Sequence, residues 1–173
     1  MNIQTTGQPA GQPITPFHWM KATASTPRGT RRDFVNPDDI PWTDWLMPGT
    51  RFKLLFADLA TGRWTMLLQV DPGTQATLHW HVHMVEAYIL EGGFYYEEDD
   101  RGRPNTYTCE KAGHIHQPFA PDGCLMVAIA HGPIGGYMPD GSLALVADAR
   151  LHYELAKQNN AAALTTIVDF APD

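Results

Sequence analysis

Between Gly73 and Gly93 the chain reads G-T-Q-A-T-L-H-W-H-V-H-M-V-E-A-Y-I-L-E-G-G, with histidines at 79, 81 and 83 and a glutamate at 86. Alternate residues of a β-strand share a face. Imidazoles two apart can therefore converge on one point, and neutral imidazole is the commonest metal ligand. His114 and His116 repeat the spacing further on. Three nitrogens, with or without the Glu86 carboxylate, suit Fe(II), Mn, Ni, Co or Zn. Open positions on such a metal admit O2 or a bidentate substrate. Within this set His83 competes with His79, and His114 competes with His116.

Such a set needs strands to hold it, and the chain supplies them. Fourteen prolines and fifteen glycines in 173 residues mean many turns and few long helices, the composition of an all-β fold. The length suits one domain with a sizeable core. Strands are expected over 51–58 and 63–70, joined as a hairpin at Ala60-Thr61-Gly62. Asp71-Pro72-Gly73 turns the chain. Further strands are expected over 76–81, 86–90, 94–98, 106–109, 114–119 and 124–131, the last as a buried strand, with a loop over 132–141. From about Leu145 to Asn159 the apolar spacing becomes helical, and Asn159-Asn160 would end that helix. The expected organisation is an extended leader over 1–48, a barrel core over 49–144, and a helix and tail over 145–173 packed on the barrel. Residues 1–16 read as an arm or tail.

Other functions are disfavoured. The net charge is −7, and the acidic residues are scattered apart from the run Glu97-Glu98-Asp99-Asp100. No basic stripe is present, so nucleic acid is not an expected partner. No apolar run is long enough to span a bilayer, and the first residues lack a signal core. A cytoplasmic protein with reduced thiols is expected, Cys109 and Cys124 serving as small buried hydrophobes. Trp64, Met66 and Leu68 share a core face. One or two of Tyr88, Tyr95 and Tyr96 face the cavity. His131 lines the pocket or sits satisfied in the core. Arg63 and Gln69 would anchor an anionic substrate if they point inward. His18 and His152 read as surface residues.

The pattern resembles the cupin superfamily, jelly-roll β-barrels that hold a metal in the barrel mouth. The first cupin motif is a glycine, five residues, H-x-H, three or four residues, a glutamate, about six residues and a glycine. Gly73, His79, His81, Glu86 and Gly93 fill it. The second, P-x-G-x-x-H-x-x-x-N, is matched at Gly113 and His116, with Lys111 and Ala120 departing from it. The resemblance selects His79, His81, Glu86 and His116 as metal ligands over His83 and His114. Glu86 either binds the metal or stands behind it, accepting from a ligand imidazole.

Within the superfamily the chain is similar to small single-domain cupins of the 2,4'-dihydroxyacetophenone and acetylacetone-cleaving dioxygenase type. The shared stretches are W-x-x-L-L-Q-V-x-P-G (Trp64 to Gly73), A-Y-I-L-E-G (Ala87 to Gly92) and A-R-x-H-Y (Ala149 to Tyr153). In the dihydroxyacetophenone group a histidine often stands where this chain has Glu86. The resemblance implies Fe(II) on three histidines, with Zn, Ni, Mn or Co as other occupants. It also implies O2-dependent cleavage of a C–C bond next to a carbonyl in a small diketone or hydroxyketone. Glu86, if not bound to iron, would act as general base. The alternatives are a zinc-binding sensor cupin of the anti-sigma type and a metal-dependent isomerase or decarboxylase. A homodimer is expected, the aromatic-rich leader covering an open β edge.

Overall fold

The computed structural model describes residues 34–162 and the backbone of 166–168. The expected arm at 1–16, His18 and most of the leader lie outside these residues. A short 3-10 turn at Pro37–Asp39 precedes β1 (Thr43–Asp44), β2 (Thr50–Asp58), β3 (Arg63–Val70), β4 (Thr74–Gln75), β5 (His79–His81) and β6 (Val85–Gly92). β7 (Tyr107–Glu110), β8 (Ile115–His116), β9 (Phe119–Ala120), β10 (Cys124–Ala130), β11 (Ile134–Tyr137) and β12 (Leu143–Ala147) follow. α1 (Ala149–Gln158) and β13 (Thr166–Val168) close the sequence of elements.

Among the described residues the strands form one large sheet in the order β1-β2-β3-β10-β6-β7, with β13 parallel to β2. A second sheet runs β12-β11-β5-β8, and β4 pairs with β9. These sheets make an antiparallel β-barrel of the kind expected, with one short α-helix among the described residues. The β2–β3 hairpin forms as expected: Gly62 supplies a φ of +78°, and Asp58 accepts from the backbone N–H groups of Ala60 and Thr61.

Strand parity builds the interior. Trp64, Met66 and Leu68 of β3, Val85, Ala87 and Ile89 of β6, and Met126, Ala128 and Ala130 of β10 are all buried. The residues between them on β10 are only half-buried, so β10 has one core face and is not buried on both sides. Ala128 stands opposite Ala87 on one neighbour and Met66 on the other. Two facing alanines leave space where larger side chains would fill the barrel.

Several boundaries differ from expectation. Residues 94–98 form no strand; Tyr95 makes isolated bridges to Arg101 and Phe119. The 132–141 segment contains β11. The helix begins at Ala149, not near Leu145, because Asp148 is its N-cap and accepts from the Leu151 N–H at 2.8 Å. Leu143–Ala147 instead pairs with β11. Asn159 caps the far end, and Asn160 follows in the left-handed region at φ +57°. Part of the expected leader also enters the sheet, since β1 pairs with β2. No helix among the described residues is long and apolar enough to cross a membrane.

Candidate metal centre

β5 and β8 bring the histidines together. His79 and His81 lie on one face of β5, and His116 of β8 stands directly opposite His79 in the ladder. On the other side of β5, Gly135 faces Trp80; a Cβ there would fall 2.0 Å from the indole nitrogen. Glycine at that position lets β11 approach β5 closely. The Nε2 atom of His116 is 3.0 Å from Nε2 of His79 and 3.3 Å from Nε2 of His81. Among the described residues these three are the group able to hold a metal ion.

The chemistry of the donors fits a metal. His79 Nδ1 lies 2.8 Å from the Thr77 carbonyl, which makes Nδ1 the protonated nitrogen and leaves the lone pair on Nε2. Burial pushes His79 below the usual imidazole range. His81 is pushed down to about 4 and His116 to about 3, by burial first and by the neighbouring imidazoles second. His79 thus aims its Nε2 lone pair at the point where the Nε2 atoms of His81 and His116 also converge, a grouping of imidazoles that a cation would bridge. Metal–nitrogen bonds of about 2.0–2.1 Å put cis or tetrahedral nitrogens roughly 2.8–3.4 Å apart, a range that includes the His116–His79 and His116–His81 spacings of 3.0 and 3.3 Å.

Glu86 is not part of this cluster. Val85 and Ala87 point into the barrel, so parity carries Glu86 to the outer face. There it accepts from Tyr107 Oη at 2.7 Å and from His131 Nε2 at 2.8 Å. These bonds hold its carboxyl below the usual range, the Tyr107 bond most strongly. The structure thus sets Glu86, expected as a ligand or general base, on the outer face and apart from the three histidines. The carboxylate that reaches the histidines is Glu110 of β7. It stands opposite Val85 and faces inward. Its Oε2 is 3.4 Å from His81 Nδ1 and its Oε1 is 3.9 Å from His116 Nε2. His81 Nδ1 lies near that oxygen without being aligned for a hydrogen bond. Burial pushes Glu110 up to about 8.

A cavity of about 90 Å³ opens beside the cluster. His79, His81 and Glu110 form its polar edge, while Trp45, Trp64, Met66, Ala87, Met126 and Ala128 are among the apolar walls. No lysine or arginine lines it among the described residues. Arg63 and Gln69 do not serve it; Gln69 accepts instead from Arg51 on the neighbouring strand.

The remaining candidates fall outside the cluster. His83 is exposed in the turn after β5 and packs on Gly132. His114 is exposed, its ring edge-on to His116. Tyr96 stacks on His116 at 4.7 Å, whereas Tyr88 is exposed. Cys124 is buried as expected, but Cys109 is exposed because it shares the outer face with Glu86. His152 is a core residue, fully buried against Trp64. Sequence reasoning missed Glu110: with Cys109 read as buried, the two-residue period turns Glu110 outward, and only the exposure of Cys109 reverses that.

Residues 30–135 match the family model described as the ChrR cupin-like domain, more than half of the chain. No curated protein matches the sequence. Solved structures share the fold. A Ralstonia eutropha protein of unknown function with a cupin-like fold is 24% identical, with TM-score 0.72, covering 83% of this chain and 98% of that one. An acetylacetone dioxygenase from Acinetobacter johnsonii is 17% identical, with TM-score 0.68, covering 75% and 93%. An RmlC-like cupin from Ralstonia eutropha is 17% identical, with TM-score 0.70, covering 82% and 95%. At these identities the likeness is one of fold.

Proposed function

We propose that this chain, which belongs to the ChrR cupin-like domain family, is a non-haem Fe(II) dioxygenase that cleaves a C–C bond next to a carbonyl in a small diketone or hydroxyketone. The observation that carries the reading is the convergence of the Nε2 atoms of His79, His81 and His116 at the edge of an apolar cavity. The fold shared with an acetylacetone dioxygenase supports it.

His79, His81 and His116 would hold the iron. Bound iron would supply Lewis acidity toward the carbonyl oxygens and the chemistry of O2. Glu110, at the cavity edge, is the carboxyl placed to exchange a proton with the substrate: burial keeps it largely protonated near neutral pH, and in its ionised form it takes the acidic C–H proton as general base. The apolar walls keep water from the reacting groups and, lacking a cation, favour uncharged substrate arms. One O2 is consumed per bond cleaved, and its two atoms end in the two carbonyl-containing products. A cytoplasmic homodimer is part of the same proposal; a monomeric mass in solution would remove the dimer.

A second reading, a zinc-binding regulatory cupin of the anti-sigma type, rests on the family match. One experiment separates them. Protein purified without added metal is assayed for metal content, then for O2 uptake with a panel of diketones and hydroxyketones. Iron with substrate-dependent O2 consumption is the expected result. Tightly bound zinc with no O2 uptake overturns the dioxygenase and favours the regulatory reading.

A further inference from the structure

His152 has no part in the chemistry described above, yet it is the most constrained histidine outside the centre. Its side chain is 0% exposed, on the face of α1 that packs against β2. Nδ1 donates to the Asp148 carbonyl at 2.6 Å, which leaves the lone pair on Nε2. That lone pair accepts the indole N–H of Trp45 at 2.9 Å, across 107 residues of chain. The ring stacks on Trp64, with centroids 4.0 Å apart and planes at 25°. Phe52 meets it edge-on at 5.7 Å.

Both tryptophans held by this ring line the cavity that has His79 and His81 at its edge. Trp45 sits in the irregular segment between β1 and β2. Its backbone N–H donates to the Thr50 carbonyl at 3.0 Å, and its indole N–H goes to His152. A fully buried imidazole is a costly way to fill space, since its polar nitrogens must both be satisfied. What it adds over phenylalanine is an acceptor at one edge and a donor at the other, and the acceptor is used on a cavity wall.

We propose that His152 is a positioning residue for the ligand cavity: by accepting the Trp45 indole N–H while stacking on Trp64, it fixes two walls beside the histidine cluster and so sets which ligand shapes enter. The proposal rests on the reading of this cavity as the substrate cavity. Three variants test it. His152→Phe keeps a ring and removes the acceptor. His152→Gln restores an acceptor oxygen. Trp45→Phe removes the donor.

Each is made in the full chain and checked for metal content. Xenon serves as the cavity probe, since it enters dry apolar cavities without any reaction. The Trp45 indole N–H signal reports solvent exchange, and KM is followed separately from kcat. In His152→Phe, xenon affinity falls and KM rises by about fivefold or more, the scale of one lost buried hydrogen bond. The Trp45 indole N–H exchanges faster, and metal content stays level. His152→Gln recovers most of the loss. A double variant combining His152→Phe with Trp45→Phe is no worse than the worse single, because both remove one bond. Unchanged xenon affinity and indole exchange in His152→Phe overturns the proposal, as do additive effects in the double variant. If His152→Phe does not fold, the Trp45→Phe and His152→Gln pair carries the same test. Shifted xenon binding without O2 uptake on any ketone would leave His152 in its role and remove the dioxygenase. Normal turnover with xenon binding and KM unmoved would do the reverse.

Discussion

Val85 and Glu110 stand directly opposite each other across the β6–β7 pair, so the Glu110 carboxylate enters the barrel on the face that Val85 occupies. One residue along, Glu86 pairs with Cys109 on the outside. Of the three glutamates in these adjacent strands, Glu86, Glu91 and Glu110, only Glu110 approaches the cluster of His79, His81 and His116.

Glu110→Gln keeps the side-chain volume and removes the base. Turnover should fall by about 10²–10⁴, the range for loss of a general base, with metal content unchanged. Glu86→Gln should leave both metal content and turnover near the starting level. Steady-state O2 uptake beside metal analysis of the two variants checks the pair. A collapse of turnover in Glu86→Gln with none in Glu110→Gln would reverse the assignment.

His116→Ala removes one corner of the cluster. Bound metal should drop at least about tenfold, since an incomplete donor set holds metal poorly. His114→Ala and His83→Ala should keep theirs. Elemental analysis after gel filtration decides it, and full occupancy in His116→Ala would show that the donor set is wrong.

Ala128→Leu adds three carbons to a cavity of about 90 Å³. The side chain points inward from β10, so KM for a diketone should rise at least about tenfold while metal stays bound. The stability change should not exceed about 1–3 kcal/mol, the usual cost of overpacking, because space already exists there. A KM equal to wild type would place the substrate elsewhere.

The pH dependence of stability follows from His152. Burial pushes its pKa down to about 4 from an ordinary value of 6.5. Between those values the unfolded chain binds a proton that the folded chain refuses. Stability from this group is therefore complete above about pH 6.5 and is lost as pH falls toward about 4. The size of the loss is on the order of 3 kcal/mol. Denaturant melts of wild type and His152→Phe across this range should converge as the pH falls. Parallel curves would show that the imidazole titrates normally.

Much of this protein is readable from sequence alone, where local chemistry decides. The glycine and proline turns, the β2–β3 hairpin and the inward row Trp64, Met66 and Leu68 follow from residue type and a two-residue period. The same period puts His79 and His81 on one face, and the cupin resemblance adds His116. Tertiary structure decided the rest, because facing depends on which strands pair and where each strand starts. A one-residue difference in where β6 begins turns Glu86 out, and pairing with Val85 turns Glu110 in. His152 looked like a surface residue because helical spacing does not say what a helix packs against. Only the approach of Trp45 and Trp64, 107 and 88 residues away in the chain, buries its ring and gives its nitrogen a partner.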